Sequence, residues 1–234
     1  MASVSRRLFA EFFGTALLVA AVVGSGIMAT TLTNDVAVQL LINALATVAA
    51  LGVLIWVLDP ISGAHFNPAV TLIAFATKQE ITTFDALGYI SVQIMGAITG
   101  ATLANLMFSL PAWSFSNHQR SSAGMWMGEV VATAGLLLVI GAIACTGHSN
   151  RGPVLIPAWI GAAYFFTAST SFANPAVTIG RVFSDTFAGI SPESVPLFIV
   201  FQMVGAAIGA VLTAVLYPQR SQLHYASEPV HANQ

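Results

Sequence analysis

Two asparagines in the same short setting are the residues with chemistry to offer. Asn67 stands in His65-Phe66-Asn67-Pro68-Ala69-Val70-Thr71, and Asn174 in Ala173-Asn174-Pro175-Ala176-Val177-Thr178. The copies share Asn-Pro-Ala-Val-Thr, and their asparagines lie 107 positions apart. Asn caps a helix and Pro suits its first turn, so each motif is predicted to open a helix. A helix N-terminus carries unpaired N–H groups and about half a positive charge. Two such ends brought face to face repel cations and protons, while the two side-chain amides offer donors to the oxygen of a neutral solute. That is the chemistry of a pore for small uncharged molecules. It is not the chemistry of a reaction: no Ser/His pair, paired catalytic carboxylates or metal-ligand cluster stands out. The expectation is a non-enzyme with no cofactor and no metal. One motif alone would read as a simple cap; two matched copies point to a shared site.

The elements that position these residues follow from composition. The chain has 234 residues, of which 56% are hydrophobic and only 7% charged, with mean hydropathy +0.82. A soluble domain carries about 25% charged residues, so this surface faces lipid. A net charge of −2 argues against a nucleic-acid partner. Cys145 is the only cysteine, which excludes an intrachain disulfide and reads as a small packing residue. A membrane span needs about 20 mostly apolar residues. Six stretches qualify, near 8–29, 36–58, 84–108, 124–145, 154–172 and 195–217. Ser5-Arg6-Arg7-Leu8-Phe9 has the look of a twin-arginine export signal. The apolar run past it, interrupted by Glu11 and followed by more spans, reads instead as a first membrane helix. Between the second and third spans lies 67–77, and between the fifth and sixth lies 174–184. Both are half the length of a span.

The pattern is three spans and one half-span, twice. Gln93-Ile94-Met95-Gly96-Ala97-Ile98-Thr99-Gly100-Ala101 in span three matches Gln202-Met203-Val204-Gly205-Ala206-Ala207-Ile208-Gly209-Ala210 in span six. Both contain G-x-x-x-G, which allows close helix contact in lipid. Glu11 in span one is matched by Glu129 in span four. An odd number of spans per copy inverts the second copy, and inverted repeats with broken helices place a site at their interface. The predicted class is all-α integral membrane: six transmembrane helices and two re-entrant half-helices, an inverted repeat wound as a right-handed bundle. The first repeat is 1–110, the second 111–217, and 218–234 is a polar tail; together they make one channel domain. With the N-terminus inside, Arg6, Arg7, Lys78, Arg151 and Arg220 are cytoplasmic, against Arg120 and Arg181 outside. Both termini are then cytoplasmic, and the setting is a plasma or inner membrane. Trp56, Trp113, Trp126 and Trp159 fall near predicted span ends, as interfacial anchors.

Ser62-Gly63-Ala64-His65-Phe66-Asn67-Pro68-Ala69-Val70-Thr71, the second Asn174-Pro175-Ala176, and Ala10-Glu11-Phe12-Phe13-Gly14-Thr15 make the chain resemble the aquaporin and aquaglyceroporin (major intrinsic protein) family over nearly its whole length. The resemblance implies a homotetramer in the lipid bilayer with one pore per subunit. It also implies that Glu11 and Glu129 accept hydrogen bonds from the re-entrant loops, and that His65 lines the cytoplasmic vestibule. His65 as a satisfied loop histidine stays open beside that. Most members carry Arg directly after the second Asn-Pro-Ala; here the position is Val177. The other filter positions, carried over by spacing, are Thr47, Ala162 and Ser171. The implied filter is wide, uncharged and mildly polar, similar to that of bacterial relatives that pass neutral metalloid hydroxides such as arsenous acid. A general glycerol-like solute pore is the plainer reading. Arg181 is either a charge at the outer mouth or a surface residue paired with Asp185. Two further classes remain, a coupled secondary transporter and a non-transporting junction protein.

Overall fold

The computed structural model describes residues 2–77 and 81–218. Lys78, Arg220 and nearly all of the predicted tail therefore lie outside the described residues. Eight α-helices follow in order: α1 (Val4–Leu32), α2 (Val36–Ser62), α3 (Pro68–Ala76), α4 (Thr83–Met107), α5 (Ala123–Thr146), α6 (Gly152–Phe166), α7 (Pro175–Gly180) and α8 (Val195–Leu216). Their limits have local causes. Asp35, Thr82 and Ser122 cap α2, α4 and α5 with side-chain oxygens. Gly63 and Gly147 end α2 and α5 in the left-handed region, at φ 85° and 69°, where a Cβ is costly.

Helices α1, α2, α4, α5 and α8 are long and apolar enough to cross a membrane. Helix α6 is the exception. Its 15 residues, preceded by a 3-10 turn at Ser149–Arg151, replace the longer fifth span expected over 154–172. The remainder, Thr167–Ala173, leaves the helix and leads into the second motif. The half-helices are also shorter than expected. Helix α3 stops at Ala76, and α7 ends at Gly180 with a 3-10 turn over Arg181–Phe183.

The burial pattern is that of a protein turned outward to lipid. Phe9, Trp56, Phe84, Val154 and Val215 are exposed, while Glu11, Gln93, Glu129 and Gln202 are each 0% exposed. The polar groups sit inside because hydrocarbon offers them no partners. Helix α1 packs on α4, and α5 on α8, through the repeated glycines. A Cβ on Gly96 or Gly100 would meet the carbonyl oxygen of Phe12 or Ala16. A Cβ on Gly205 or Gly209 would meet that of Val130 or Ala134. These four glycines are thus points of backbone contact. Trp159 is not an interfacial anchor. It sits within α6, donates its indole N–H to Ala132 O at 2.9 Å, and lies over Gly135 of α5. Cys145 is exposed rather than packed.

Candidate functional site

Helices α3 and α7 begin beside each other inside the bundle, at Asn67 and Asn174. Asn67 Oδ1 caps α3 by accepting from Ala69 N at 2.9 Å. Asn174 Oδ1 caps α7 by accepting from Ala176 N and Val177 N at 3.0 and 3.2 Å. The side chains then reach across. Asn67 Nδ2 donates to Ala173 O, and Asn174 Nδ2 donates to Phe66 O, both at 2.8 Å. Each asparagine therefore closes its own helix and holds the opposite loop. An amide NH₂ has two hydrogens, and one on each asparagine is used in this way.

The loops leading into the motifs have the same unusual backbone. Gly63, Ala64 and Phe66 have φ of 85°, 47° and 48°; Thr170, Ser171 and Ala173, 107 positions on, have 60°, 53° and 47°. Non-glycine residues rarely hold positive φ, so something must hold them there. Two buried glutamates do so. Glu11 accepts from Ser62 Oγ (2.6 Å), His65 N (3.0 Å), Phe66 N (2.7 Å) and Gln93 Nε2 (2.8 Å). Glu129 accepts from Phe172 N (2.9 Å), Ala173 N (2.8 Å) and Gln202 Nε2 (2.6 Å). Gln93 goes on to Thr71 Oγ1 at 3.0 Å and Gln202 to Thr178 Oγ1 at 2.8 Å. The N–H groups of both loops are thus turned into the protein. Among the described residues, no hydrogen bond ends on the carbonyls of Gly63, Ala64 or His65, or of Ser171 or Phe172. All five residues line one cavity of about 1100 Å³.

That cavity opens among Thr77, Cys145, Ser149 and Tyr217, where α3, α5 and α8 end. It passes His65, Asn67 and Asn174 and reaches Thr47, Ser171, Val177 and Arg181. His65 lies on the wall with Nδ1 3.0 Å from Thr71 Oγ1 and its ring edge-on to Tyr89. Three of the four residues assigned to the filter by spacing line the lumen. Ala162 does not; it is exposed on the outer face of α6. The lumen face of α6 is Ile156, Ile160 and Tyr164, one turn apart each. Tyr164 takes the place expected of Ala162, with its hydroxyl donating to Thr47 Oγ1 at 3.2 Å. The bore at this level is accordingly narrower than Thr47 and Ala162 implied. The fourfold spacing on α6 was a readable signal for Tyr164.

Arg181 is not a surface residue paired with Asp185. It is 3% exposed, donates from Nε to Ala188 O, and holds its guanidinium 3.4 Å from the centroid of Phe172. Asp185 instead accepts from Asn117, through the backbone N–H at 2.9 Å and the side chain at 3.1 Å. That contact holds its carboxyl below the usual carboxylate range. The residues missed in the sequence are Ser62, Thr71, Gln93, Phe172, Thr178 and Gln202. Both glutamines stood in the repeated nine-residue segment, which marked their positions without marking their role.

Membrane-crossing helices around a lumen, with two half-helices meeting inside it, define a channel. Residues 1–173 match the major intrinsic protein family, a match that ends one residue before Asn174. The chain is 48% identical over 217 residues to the aquaglyceroporin AqpS of Rhizobium meliloti (strain 1021), covering 92% of each. It is 32% identical over 227 residues to human aquaporin-5, covering 91% of this chain and 79% of that one. The solved aquaglyceroporin of Plasmodium falciparum has the same fold, with TM-score 0.65 and 24% identity over 93% of this chain and 97% of that one. The chain belongs to the major intrinsic protein family, whose members are membrane channels and not enzymes.

Proposed function

We propose that the chain is a passive pore for water and small uncharged solutes, namely glycerol-like polyols and neutral metalloid hydroxides such as arsenous acid, closed to ions and protons. The reciprocal Asn67–Ala173 and Asn174–Phe66 bonds carry this reading. They bring two positive helix ends to one point of the lumen, and the second amide hydrogen of each asparagine remains for a solute oxygen. The carbonyls from Gly63 to His65 and from Ser171 to Phe172 supply acceptors along the wall. A solute with several hydroxyls finds both partners in turn, and so does a chain of waters. A cation finds no compensating charge at the constriction. Val177 in the place of the usual Arg, with Thr47, Tyr164 and Ser171 around it, makes an uncharged filter that suits a solute larger than water. The printed name of the Rhizobium relative, an aquaglyceroporin, supports the same solute class.

Several further assignments belong to the same reading. The chain works as a homotetramer in a bacterial inner membrane, with both termini cytoplasmic, so that the Cys145–Tyr217 end of the cavity faces the cytoplasm. Segments 1–110 and 111–217 are inverted copies; the Glu11–Gln93–Thr71 and Glu129–Gln202–Thr178 networks support this. His65 serves as vestibule lining. The test is uptake by proteoliposomes of water, glycerol and arsenous acid, compared with empty vesicles. Faster entry of all three is expected. Water entry alone would remove the solute half of the proposal.

A further inference from the structure

The lumen does not lack a fixed positive charge merely because Val177 is not arginine. Arg181 reaches the cavity wall from one turn beyond Val177. Arg120, from the segment before α5, holds its guanidinium 5.1 Å from the centroid of the same Phe172 ring. The two arginines are tethered alike. Arg181 Nε donates to Ala188 O, and Arg120 Nε to Gly189 O at 2.8 Å. Neither forms an ion pair among the described residues, where the one salt bridge is Arg7–Asp85. Glu129, which holds the backbone of Phe172, gives its oxygens to Phe172 N, Ala173 N and Gln202 Nε2 and forms no salt bridge with either arginine; it attracts both from further off. Among the described residues the two guanidinium groups donate to carbonyls alone, and two cations on one ring face a single carboxylate, which leaves a net positive charge there.

We propose that Arg181 and Arg120, stacked about Phe172, form a charged collar that excludes cations and protons at the outer end of the pore, in place of an arginine at position 177. Phe172 is the positioning residue, and Arg181 the one that faces the lumen. The inference rests on the reading of the chain as a pore for neutral solutes. It adds a second barrier to the one at the helix ends, built by residues outside the Asn-Pro-Ala motif. It also explains how a small uncharged residue at 177 is compatible with a tight membrane.

The experiment measures proton entry into proteoliposomes under a potassium diffusion potential, with water flux recorded on the same vesicles. Arg181→Gln is expected to raise proton and potassium leak about 15- to 30-fold, the Boltzmann factor of one unit charge at roughly 8–10 Å and an effective dielectric near ~20. Water flux, recorded on the same vesicles, shows that the variant is inserted and open. Arg181→Lys keeps the leak low. Phe172→Leu raises it, and Phe172→Trp, which keeps a ring for the cations, does not. Adding Val177→Arg to Arg181→Gln restores exclusion. Arg120→Gln, at a partly buried site, serves if the Arg181 variants do not fold, with a smaller rise expected. Measurable water flux with no change of leak in Arg181→Gln and Arg120→Gln overturns the collar and leaves the pore standing. Absence of water flux in the wild type overturns the pore itself.

Discussion

Replacing Glu11 by Gln changes one atom and removes one charge at the point where the first loop is held. Four donors end on this carboxylate: Ser62 Oγ, His65 N, Phe66 N and Gln93 Nε2. Gln keeps one oxygen and turns an NH₂ toward the two donors on the other side. Two bonds to a charged acceptor are lost, each worth about 1.5–3 kcal/mol. The cost is then about 3–6 kcal/mol, against a typical total stability of about 5–15 kcal/mol. Glu11 is 0% exposed, so water cannot replace the lost partner. Glu129→Gln should cost about as much, since Phe172 N, Ala173 N and Gln202 Nε2 end there and the Ser169 side chain, the counterpart of Ser62, contributes a fourth donor. Ala64 and Phe66, held at positive φ, would relax, and the Asn174–Phe66 bond would loosen with them. The assay is the monodisperse fraction after detergent extraction, with thermal melting and glycerol flux at matched protein density. Both stability and flux should fall in each variant. Wild-type melting in Glu11→Gln or in Glu129→Gln would refute the claim that these carboxylates hold the loops.

Other substitutions probe other parts of the structure. Val177→Arg should cut glycerol and arsenous acid flux strongly and water flux less, measured by stopped-flow shrinkage; equal losses would show that Val177 is no size filter. Tyr164→Ala should widen the level that Thr47 shares with it and speed glycerol more than water, whereas Ala162→Tyr, on the outer face of α6, should leave both unchanged. Gly100→Leu and Gly209→Leu force side chains against the backbone of Ala16 and Ala134 and should lower folded yield by an overpacking cost of about 1–3 kcal/mol or more. The link between Asn117 and Asp185 should be acid-sensitive. Its carboxyl is depressed when folded, so the stability it contributes is present above the unfolded carboxylate value and lost as pH falls through the folded one. Melting followed from neutral to acid pH should show a slightly steeper loss in wild type than in Asp185→Asn.

Much of this architecture was legible in the sequence because lipid enforces it. Hydrocarbon demands long apolar runs and buried polar groups, so the spans, the half-spans, Glu11 and Glu129 all stood out. The close-contact glycines stood out because backbone contact between helices leaves no choice of residue. The filter was less legible. Counting back from Asn174 placed Ala162 in the lumen, but counting assumes a connection of fixed shape. The chain here leaves α6 at Phe166 and runs through Thr167–Ala173 with positive φ at three positions, which rotates the lumen face to Tyr164. The alternative pairing of Arg181 with Asp185 fails for a related reason. Asp185 stands four residues later, a good partner on a helix, but α7 ends at Gly180 and the chain between them is no longer α-helical. The guanidinium turns to Phe172 and Ala188 instead. Trp159 lies five residues from the expected start at 154, but α6 runs from Gly152 to Phe166 and has it at the middle.

The central claim is passive passage of neutral solutes through the lumen where Asn67 and Asn174 meet. Its most direct test is the initial rate of glycerol entry into proteoliposomes, with and without imposed sodium and proton gradients. The account predicts a rate proportional to the glycerol gradient, indifferent to both ion gradients, and reduced by Asn67→Asp and Asn174→Asp. Uphill accumulation of glycerol driven by either ion gradient would contradict it.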